Sequence, residues 1–140
     1  MPDSPAAYWD PLRRKEVAAT PEERVRQWFI GILSDCCGVP AHLMMSEVPL
    51  KYGSKTWRAD IVVYDRSGSP IAVVECKEPG VKIDAGVAEQ ALRYNCVLGV
   101  RFIALTNGEN TYIYKLEEGG FVRMDHLPSY TEMTGTTCQP

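Results

Sequence analysis

The sequence predicts an α/β fold in a single domain, with a mixed β-sheet, one helix before the sheet and one helix crossing over it. The chain has 140 residues, of which 45% are hydrophobic, enough to build one core. Apolar runs typical of strands alternate with two segments of helical periodicity. In the second half of the chain, the order strand, helix, strand predicts a right-handed parallel crossover.

The first helix has a clear start signal. Thr20 can cap it, Pro21 suits the first helical position, and Glu23 can complete a capping box. The hydrophobic residues that follow share one helical side, which contains Val25, Phe29, Ile32 and Leu33. Glu22 falls on the same inward side, three residues before Val25. The helix is expected to end near residues 38–40.

Strands are predicted where apolar runs are bounded by turn residues, at 57–64, 71–77, 101–106 and 111–116, with a weaker segment at 41–52. Residues 71–77 are apolar on both faces until their last positions, which is typical of a central strand. Turn residues at 65–68 predict a hairpin with the preceding strand. Asp84 can cap a second helix over roughly residues 85–98.

Composition divides the chain into an N-terminal arm or short strand (1–19), a folded domain (20–128) and a flexible tail (129–140). The five cysteines form no metal-binding spacing, and no apolar run is long enough to span a bilayer. A cytoplasmic protein with reduced thiols and no membrane partner is therefore expected. The net charge of −3 is a poor electrostatic basis for tight nucleic-acid binding by this chain alone.

The chemistry is predicted where the central strand stops being apolar. Glu75 and Lys77 stand two residues apart at its end, so both side chains point to one face and Cys76 points to the other. Burying these charges is costly unless each finds a partner. Asp60 lies in the neighbouring strand of the predicted hairpin, from which it can meet Glu75.

Two carboxylates held together repel each other, and a hard cation such as Mg²⁺ relieves the repulsion. Lys77 beside this cation could orient or deprotonate an attacking water, or stabilise charge on a phosphate. The pattern therefore favours metal-assisted hydrolysis of a phosphodiester. A structural ion pair between Glu75 and Lys77 explains the same residues equally well.

Four segments resemble a known family. They are Arg58-Ala59-Asp60-Ile61-Val62-Val63-Tyr64-Asp65, Val74-Glu75-Cys76-Lys77, Glu89-Gln90-Ala91-Leu92-Arg93-Tyr94-Asn95 and Leu105-Thr106-Asn107-Gly108. Together they resemble the N-terminal nuclease domain of type I restriction enzyme R subunits, in the PD-(D/E)XK nuclease superfamily, over roughly residues 10–128. The resemblance implies a restriction-endonuclease-like fold and DNA cleavage that depends on Mg²⁺, with Mn²⁺ as a substitute.

The resemblance also assigns roles to the acidic residues and the lysine. Asp60, Glu75 and the backbone carbonyl of Cys76 match the family's metal ligands, and Lys77 matches its catalytic lysine. The superfamily's Pro before the first Asp is absent, and Ala59 stands in its place.

A carboxylate from the first helix often joins the metal site in this superfamily, and Glu22 and Glu23 compete for that role. Glu22 is preferred because it lies on the inward side, whereas Glu23 suits the capping box; stabilisation of the helix dipole explains either residue without a metal. Gln90 and Tyr94, one helical turn apart, resemble a QxxxY motif that contacts nucleic acid or braces the site, although an amphipathic helix with a core Tyr has the same spacing. Arg58 is predicted as a further substrate-binding residue.

Three functional hypotheses follow. The favoured one is a divalent-metal-dependent DNA phosphodiester hydrolase. The second is a catalytically silent nuclease fold that serves as a nucleic-acid-binding or assembly partner. The third is a structure-selective nuclease, such as a junction resolvase, working as a homodimer. The expected partners are DNA and other restriction or defence subunits.

Overall fold

A computed structural model describes residues 6–95 and 97–135, and the side chains of residues 52, 94 and 95 lie outside that description. In chain order its elements are β1 (Ala7–Asp10), β2 (Lys15–Ala18), α1 (Pro21–Asp35), β3 (Met44–Tyr52), β4 (Lys55–Tyr64), β5 (Pro70–Cys76), α2 (Ala85–Asn95), β6 (Phe102–Thr106), β7 (Thr111–Glu117), β8 (Gly120–Met124) and α3 (Tyr130–Thr134). Among these described helices, none is long and apolar enough to cross a membrane.

The main sheet has six strands in the order β3-β4-β5-β6-β7-β8. β5 and β6 are parallel and are connected through α2, while the other neighbours are antiparallel. This architecture confirms the predicted α/β fold with a mixed sheet and one parallel crossover. It also places β4 and β5, the strands that carry Asp60 and Glu75, inside the sheet rather than at its edge.

Helix α1 starts where the sequence predicts. The Thr20 hydroxyl accepts a hydrogen bond from the Glu23 N–H at 3.1 Å, and Pro21 occupies the first helical position. Only half of the predicted capping box forms, because the Glu23 carboxylate accepts hydrogen bonds from Arg13 instead. The apolar side of the helix is buried through Val25, Phe29, Ile30 and Leu33.

Apolar side chains cover both faces of the sheet. On one face, α1 and α3 pack over β4, β5 and β6 in a core that includes Phe29, Leu33, Ile61, Val63, Val74, Ala104, Tyr130 and Met133. On the other face, Leu92 of α2 packs against a smaller core of Ala59, Val62, Val73, Val100 and Ile103. The alternation along β5 sends Val73 to the α2 face and Val74 to the α1 face, as the period of a strand requires.

Both ends of the described chain are more ordered than the sequence analysis predicts. The N-terminal arm contains the β1–β2 hairpin, and β8 pairs with β7 beyond the predicted last strand. Within the predicted flexible tail of 129–140, residues 130–134 form α3, capped by Ser129, with Tyr130 and Met133 buried. The Tyr130 N–H donates to the Cys37 carbonyl at 2.7 Å. The segment is polar in composition, but two apolar side chains one helical turn apart fix it to the core. Residues 136–140 lie outside the described part.

Candidate active site

Asp60 and Glu75 come together at the end of the β4–β5 pair. Ile61 is opposite Val74 in the antiparallel register, so Asp60 and Glu75 follow as the next two residues. A hydrogen bond joins their carboxyl groups. We call these two residues the carboxyl pair. The two acids therefore lie on the same side of the sheet, in direct contact.

Burial and mutual repulsion govern the charge of the carboxyl pair. Burial first, and the neighbouring Asp60 charge second, raise the pKa of Glu75 to about 8. Burial also raises the pKa of Asp60, against the opposing effects of the Cys76 N–H and the Arg26 charge. The raised pKa keeps Glu75 largely protonated near neutral pH.

The end of β5 is fixed by hydrogen bonds on both sides. The Cys76 N–H donates to Oδ2 of Asp60 at 2.7 Å, and the Lys77 N–H donates to the Thr106 carbonyl of β6 at 2.8 Å. The Cys76 thiol is buried, and burial raises its pKa well above the usual value. The thiol is consequently neutral, and Cys76 contributes its backbone to the site.

An open cavity of about 220 Å³ lies beside Glu75. Its walls are Trp57, Arg58, Glu75, Lys77, Val87, Gln90, Ala91 and Leu105. The cavity thus brings together four of the residues that the sequence analysis assigns to catalysis or substrate binding. Tyr94, the partner of Gln90 in the QxxxY motif, has its side chain outside the described part of the structure.

Glu22 and Glu23 have different surroundings. The Glu22 side chain is 50% exposed and lies 3.8 Å from Arg26. Burial and the Asp60 charge raise the pKa of Glu22, and the charges of Arg26 and Lys77 oppose this rise. The Glu23 side chain is 9% exposed and accepts two hydrogen bonds from Arg13 at 2.9 Å. The inward position that the sequence analysis gives to Glu22 is therefore occupied by Glu23. Glu22 is the glutamate that faces the carboxyl pair and Lys77.

Arg26 contacts the site and was missed by the sequence analysis. Its Nη2 donates to Oδ1 of Asp60 at 3.1 Å, and its Nη1 donates to Glu47 at 2.8 Å. The Arg26 side chain is only 4% exposed. Arg26 follows Glu22 by four residues and Glu23 by three, so the helical spacing was a signal that could have revealed it. Glu47 carried no such signal, because its left-handed backbone (φ 53°) appears only in the structure.

A second cluster of acidic residues includes Glu23 of α1. Arg13 bridges Asp10, whose side chain is fully buried, and Glu23. Burial would raise the pKa of Asp10, but hydrogen bonds from Arg13 and from the backbone of Leu12 and Arg13 outweigh it and lower that pKa. We call Asp10, Arg13 and Glu23 the paired cluster. In it, both carboxylates bind the one guanidinium of Arg13.

The oxygen atoms of the carboxyl pair fit a hard divalent cation. Magnesium is usually bound by one or two carboxylates, with waters and substrate phosphates as its other ligands. The carboxyl pair supplies two such groups, and a cation would take the place of the proton that the raised pKa of Glu75 favours. Within residues 6–95 and 97–135, no group of three His, Cys, Asp or Glu residues is placed to hold a metal ion. A closed structural zinc site would need four Cys or His ligands, which is a different donor set from these two carboxyl groups.

The fold is that of a nuclease-like domain, and comparison with known proteins identifies the family. Residues 21–128 match the family described as type I restriction enzyme R protein N terminus. The match covers most of the chain, which therefore belongs to this family, as the sequence resemblance predicts. A search of curated proteins found no match.

Two solved structures share the fold. One is described as a fragment of an HsdR subunit of a type I restriction enzyme from Vibrio vulnificus YJ016, with a TM-score of 0.61 and 22% identity over 84% of this chain. This chain spans only 25% of that structure's length. The other is described as a nuclease belonging to DUF820 from Anabaena variabilis ATCC 29413, with a TM-score of 0.53 and 13% identity. That alignment covers 96% of this chain and 88% of the other. At these identities the likeness establishes the fold.

Proposed function

We propose that this chain is a nuclease domain that hydrolyses phosphodiester bonds in DNA with the help of Mg²⁺ or Mn²⁺, in the setting of a restriction or defence system. The observation that carries the proposal is the contact between the Asp60 and Glu75 carboxyls beside a cavity lined by Lys77. A buried acid–acid contact destabilises the fold, so its presence at the mouth of a cavity favours a functional role.

Asp60, Glu75 and the backbone carbonyl of Cys76 would hold the cation. When bound, the cation would polarise a phosphoryl oxygen and lower the pKa of a water. Glu75 has to release its proton for this, and its raised pKa makes the proton available for exchange near neutral pH. The Cys76 N–H keeps Asp60 oriented through the 2.7 Å hydrogen bond.

Lys77 supplies positive charge on the same side as Glu75. Its ammonium group acts on the carboxyl pair and on Glu22, whose pKa values it lowers. There it would stabilise the negative charge that grows on the phosphate during hydrolysis. Arg58 and Gln90 line the same cavity and would bind the DNA strand there.

The charge balance around the site supports a divalent cation. Among the described residues, six carboxyl groups and four cations form one connected set, which comprises Asp10, Glu22, Glu23, Glu47, Asp60 and Glu75 with Arg13, Arg26, Arg58 and Lys77. With every group ionised, two negative charges are in excess. One divalent cation would neutralise that excess.

One contact favours the alternative of a silent assembly or DNA-binding module. Arg26 donates to Asp60 at 3.1 Å and so competes with a cation for Oδ1. If this pairing persisted in the presence of metal, the fold would keep the site residues without their chemistry. A test has to separate metal binding from cleavage for this reason.

The test compares the wild type with Asp60→Asn and Lys77→Met in two assays, the shift in melting temperature on adding Mn²⁺ and the nicking of plasmid DNA. The wild type should show both effects, and EDTA should remove both. Asp60→Asn should lose both, whereas Lys77→Met should keep the thermal shift and lose cleavage. Asp35→Asn, the same change at an exposed position, is the matched control. A wild type that binds Mn²⁺ but never cleaves DNA would favour the assembly module.

A further inference from the structure

The walls of the cavity beside Glu75 have two different chemistries. Four residues offer charge or hydrogen bonds, namely Arg58, Glu75, Lys77 and Gln90. Four others are aromatic or aliphatic: Trp57 and Val87 are partly exposed, and Ala91 and Leu105 are buried behind them. A phosphodiester backbone needs only the first set, because charged phosphates lose hydration against apolar walls. The apolar half of the cavity therefore has no role in the phosphate chemistry proposed above.

The size of the cavity limits its occupant. At about 220 Å³ it is smaller than the roughly 300–1,000 Å³ pockets that take drug-sized ligands. It suits a single planar ring system with an apolar face and polar edges. The indole of Trp57 offers a stacking surface to such a ring, and Gln90 offers an amide to its edge.

We propose that this cavity binds one unpaired nucleobase of the strand whose phosphate lies at Glu75 and Lys77. The inference rests on the proposed function and names the form of DNA that the site accepts. Arg58 and Lys77 attract the phosphates on either side of the base, while Trp57 and Val87 contact its face.

This proposal predicts that the protein distinguishes paired from unpaired DNA. A base in continuous duplex has to leave its stack before it can enter the cavity, and this unstacking costs free energy that an already unpaired base does not lose. The chain has a net charge of −3, so it cannot rely on general phosphate attraction to hold duplex DNA. Stacking in the cavity then contributes a large share of binding, and DNA with unpaired nucleotides at the scissile position is the preferred substrate.

The experiment measures kcat/KM in Mn²⁺ on two DNAs of one sequence, one fully paired and one with a short central bubble. Wild type should favour the bubble by about tenfold or more. Val87→Phe fills the cavity and should bring the ratio close to one. Val97→Phe makes the same change at an exposed position outside the cavity and should keep the wild-type ratio. Trp57→Leu is the second variant, and it should also lose the preference for the bubble. It serves as the test if Val87→Phe does not fold.

A binding assay separates failure of this inference from failure of the proposed function. Single-stranded DNA carrying 2-aminopurine should change its fluorescence on binding the wild type, and Val87→Phe should abolish the change. Equal cleavage of bubble and duplex would overturn the inference and leave the nuclease function standing. Absence of cleavage on any DNA would overturn the function; the 2-aminopurine signal would then support the cavity as a base-binding site, and its absence would overturn that as well.

Discussion

The paired cluster and the carboxyl pair each contain one Asp and one Glu but differ in charge balance. In the paired cluster, Arg13 contacts Asp10 and Glu23, and the pKa of Asp10 falls. In the carboxyl pair, acid meets acid, and the pKa of Glu75 rises to about 8. The comparison teaches that burial alone does not mark a functional acid. A buried acid held against another acid has a cost that the fold relieves only in part, here through Arg26 and the Cys76 N–H, and that cost marks the site.

The largest expected effect comes from removing the acid–acid contact. Glu75→Gln keeps the shape of the side chain but cannot become a carboxylate, so DNA cleavage should fall by about a thousandfold. The same change avoids the cost of burying an ionisable acid beside Asp60, so the metal-free protein should be at least as stable as the wild type in urea. Glu118→Gln, at an exposed position, is the control for both measurements. Loss of activity together with loss of stability would assign Glu75 a structural role.

The paired cluster should respond in the opposite way. Arg13→Met leaves the buried Asp10 without its guanidinium partner, so the free energy of unfolding should fall by about 3 kcal/mol. Urea denaturation measures this, with Arg14→Met, the exposed neighbour, as the matched control. A change below about 0.5 kcal/mol would mean that the ion pair contributes little net stability.

Glu22 and Glu23 of α1 allow the carboxyl pair and the paired cluster to be compared at two adjacent residues. Glu22→Gln should lower cleavage about tenfold without changing the free energy of unfolding, since Glu22 is half exposed and faces the carboxyl pair. Glu23→Gln should reduce stability by about 1–2 kcal/mol and leave the specific activity of the folded protein intact, since Glu23 pairs with Arg13. Single-turnover cleavage and urea denaturation of both variants measure these two effects. If Glu23→Gln lost cleavage and Glu22→Gln lost stability, Glu23 would be the glutamate of the site.

A further expected effect is on the pH dependence of the metal-free protein. The pKa of Glu75 is about 8 in the folded state against an ordinary 4.5, so the folded state binds more protons between these values. Stability is therefore full below the ordinary pKa and falls as the pH rises towards 8, by at most about 1.4 kcal/mol per pH unit. Glu75→Gln should flatten this slope in urea titrations. A slope that persists in the variant would point to another group.

Asp10 should affect the pH dependence of stability on the acid side, whereas Glu75 affects it on the alkaline side. Its pKa is lowered in the folded state, so its stabilisation is present above the ordinary aspartate value and is lost as the pH falls through the lowered pKa. Asp10→Asn should therefore weaken the acid sensitivity of the protein. It should leave the alkaline slope of Glu75 unchanged.

Much of the fold was predictable because its signals are local. The apolar run of β5 interrupted by Glu75, and the turn that precedes it, placed the two central strands in the right order. The proximity of Asp60 to Glu75 followed from a short hairpin, since such a connection leaves little freedom in the register. Thr20 and Asp84 were identified as helix caps by residue type alone, and both accept backbone hydrogen bonds in the structure.

The charges around the site could not be predicted in the same way. Arg26, Glu47 and Arg13 come from three separate elements, and only the packing of α1 over the sheet brings them together. Register and helix orientation decide which guanidinium meets which carboxylate. A sequence that shows several acids and bases does not reveal their pairing. The same limit made Glu22 and Glu23 hard to separate.

The last helix has a practical consequence for work with shortened chains. The family match stops at residue 128, but the Tyr130 hydroxyl donates to the Tyr64 carbonyl at 2.9 Å and Met133 is 1% exposed. Truncating a recombinant version at residue 128 would expose hydrophobic surface of the main core and leave the Tyr64 carbonyl without its hydrogen-bond donor. Such a fragment would be prone to aggregate during purification, so expression should extend through Gly135.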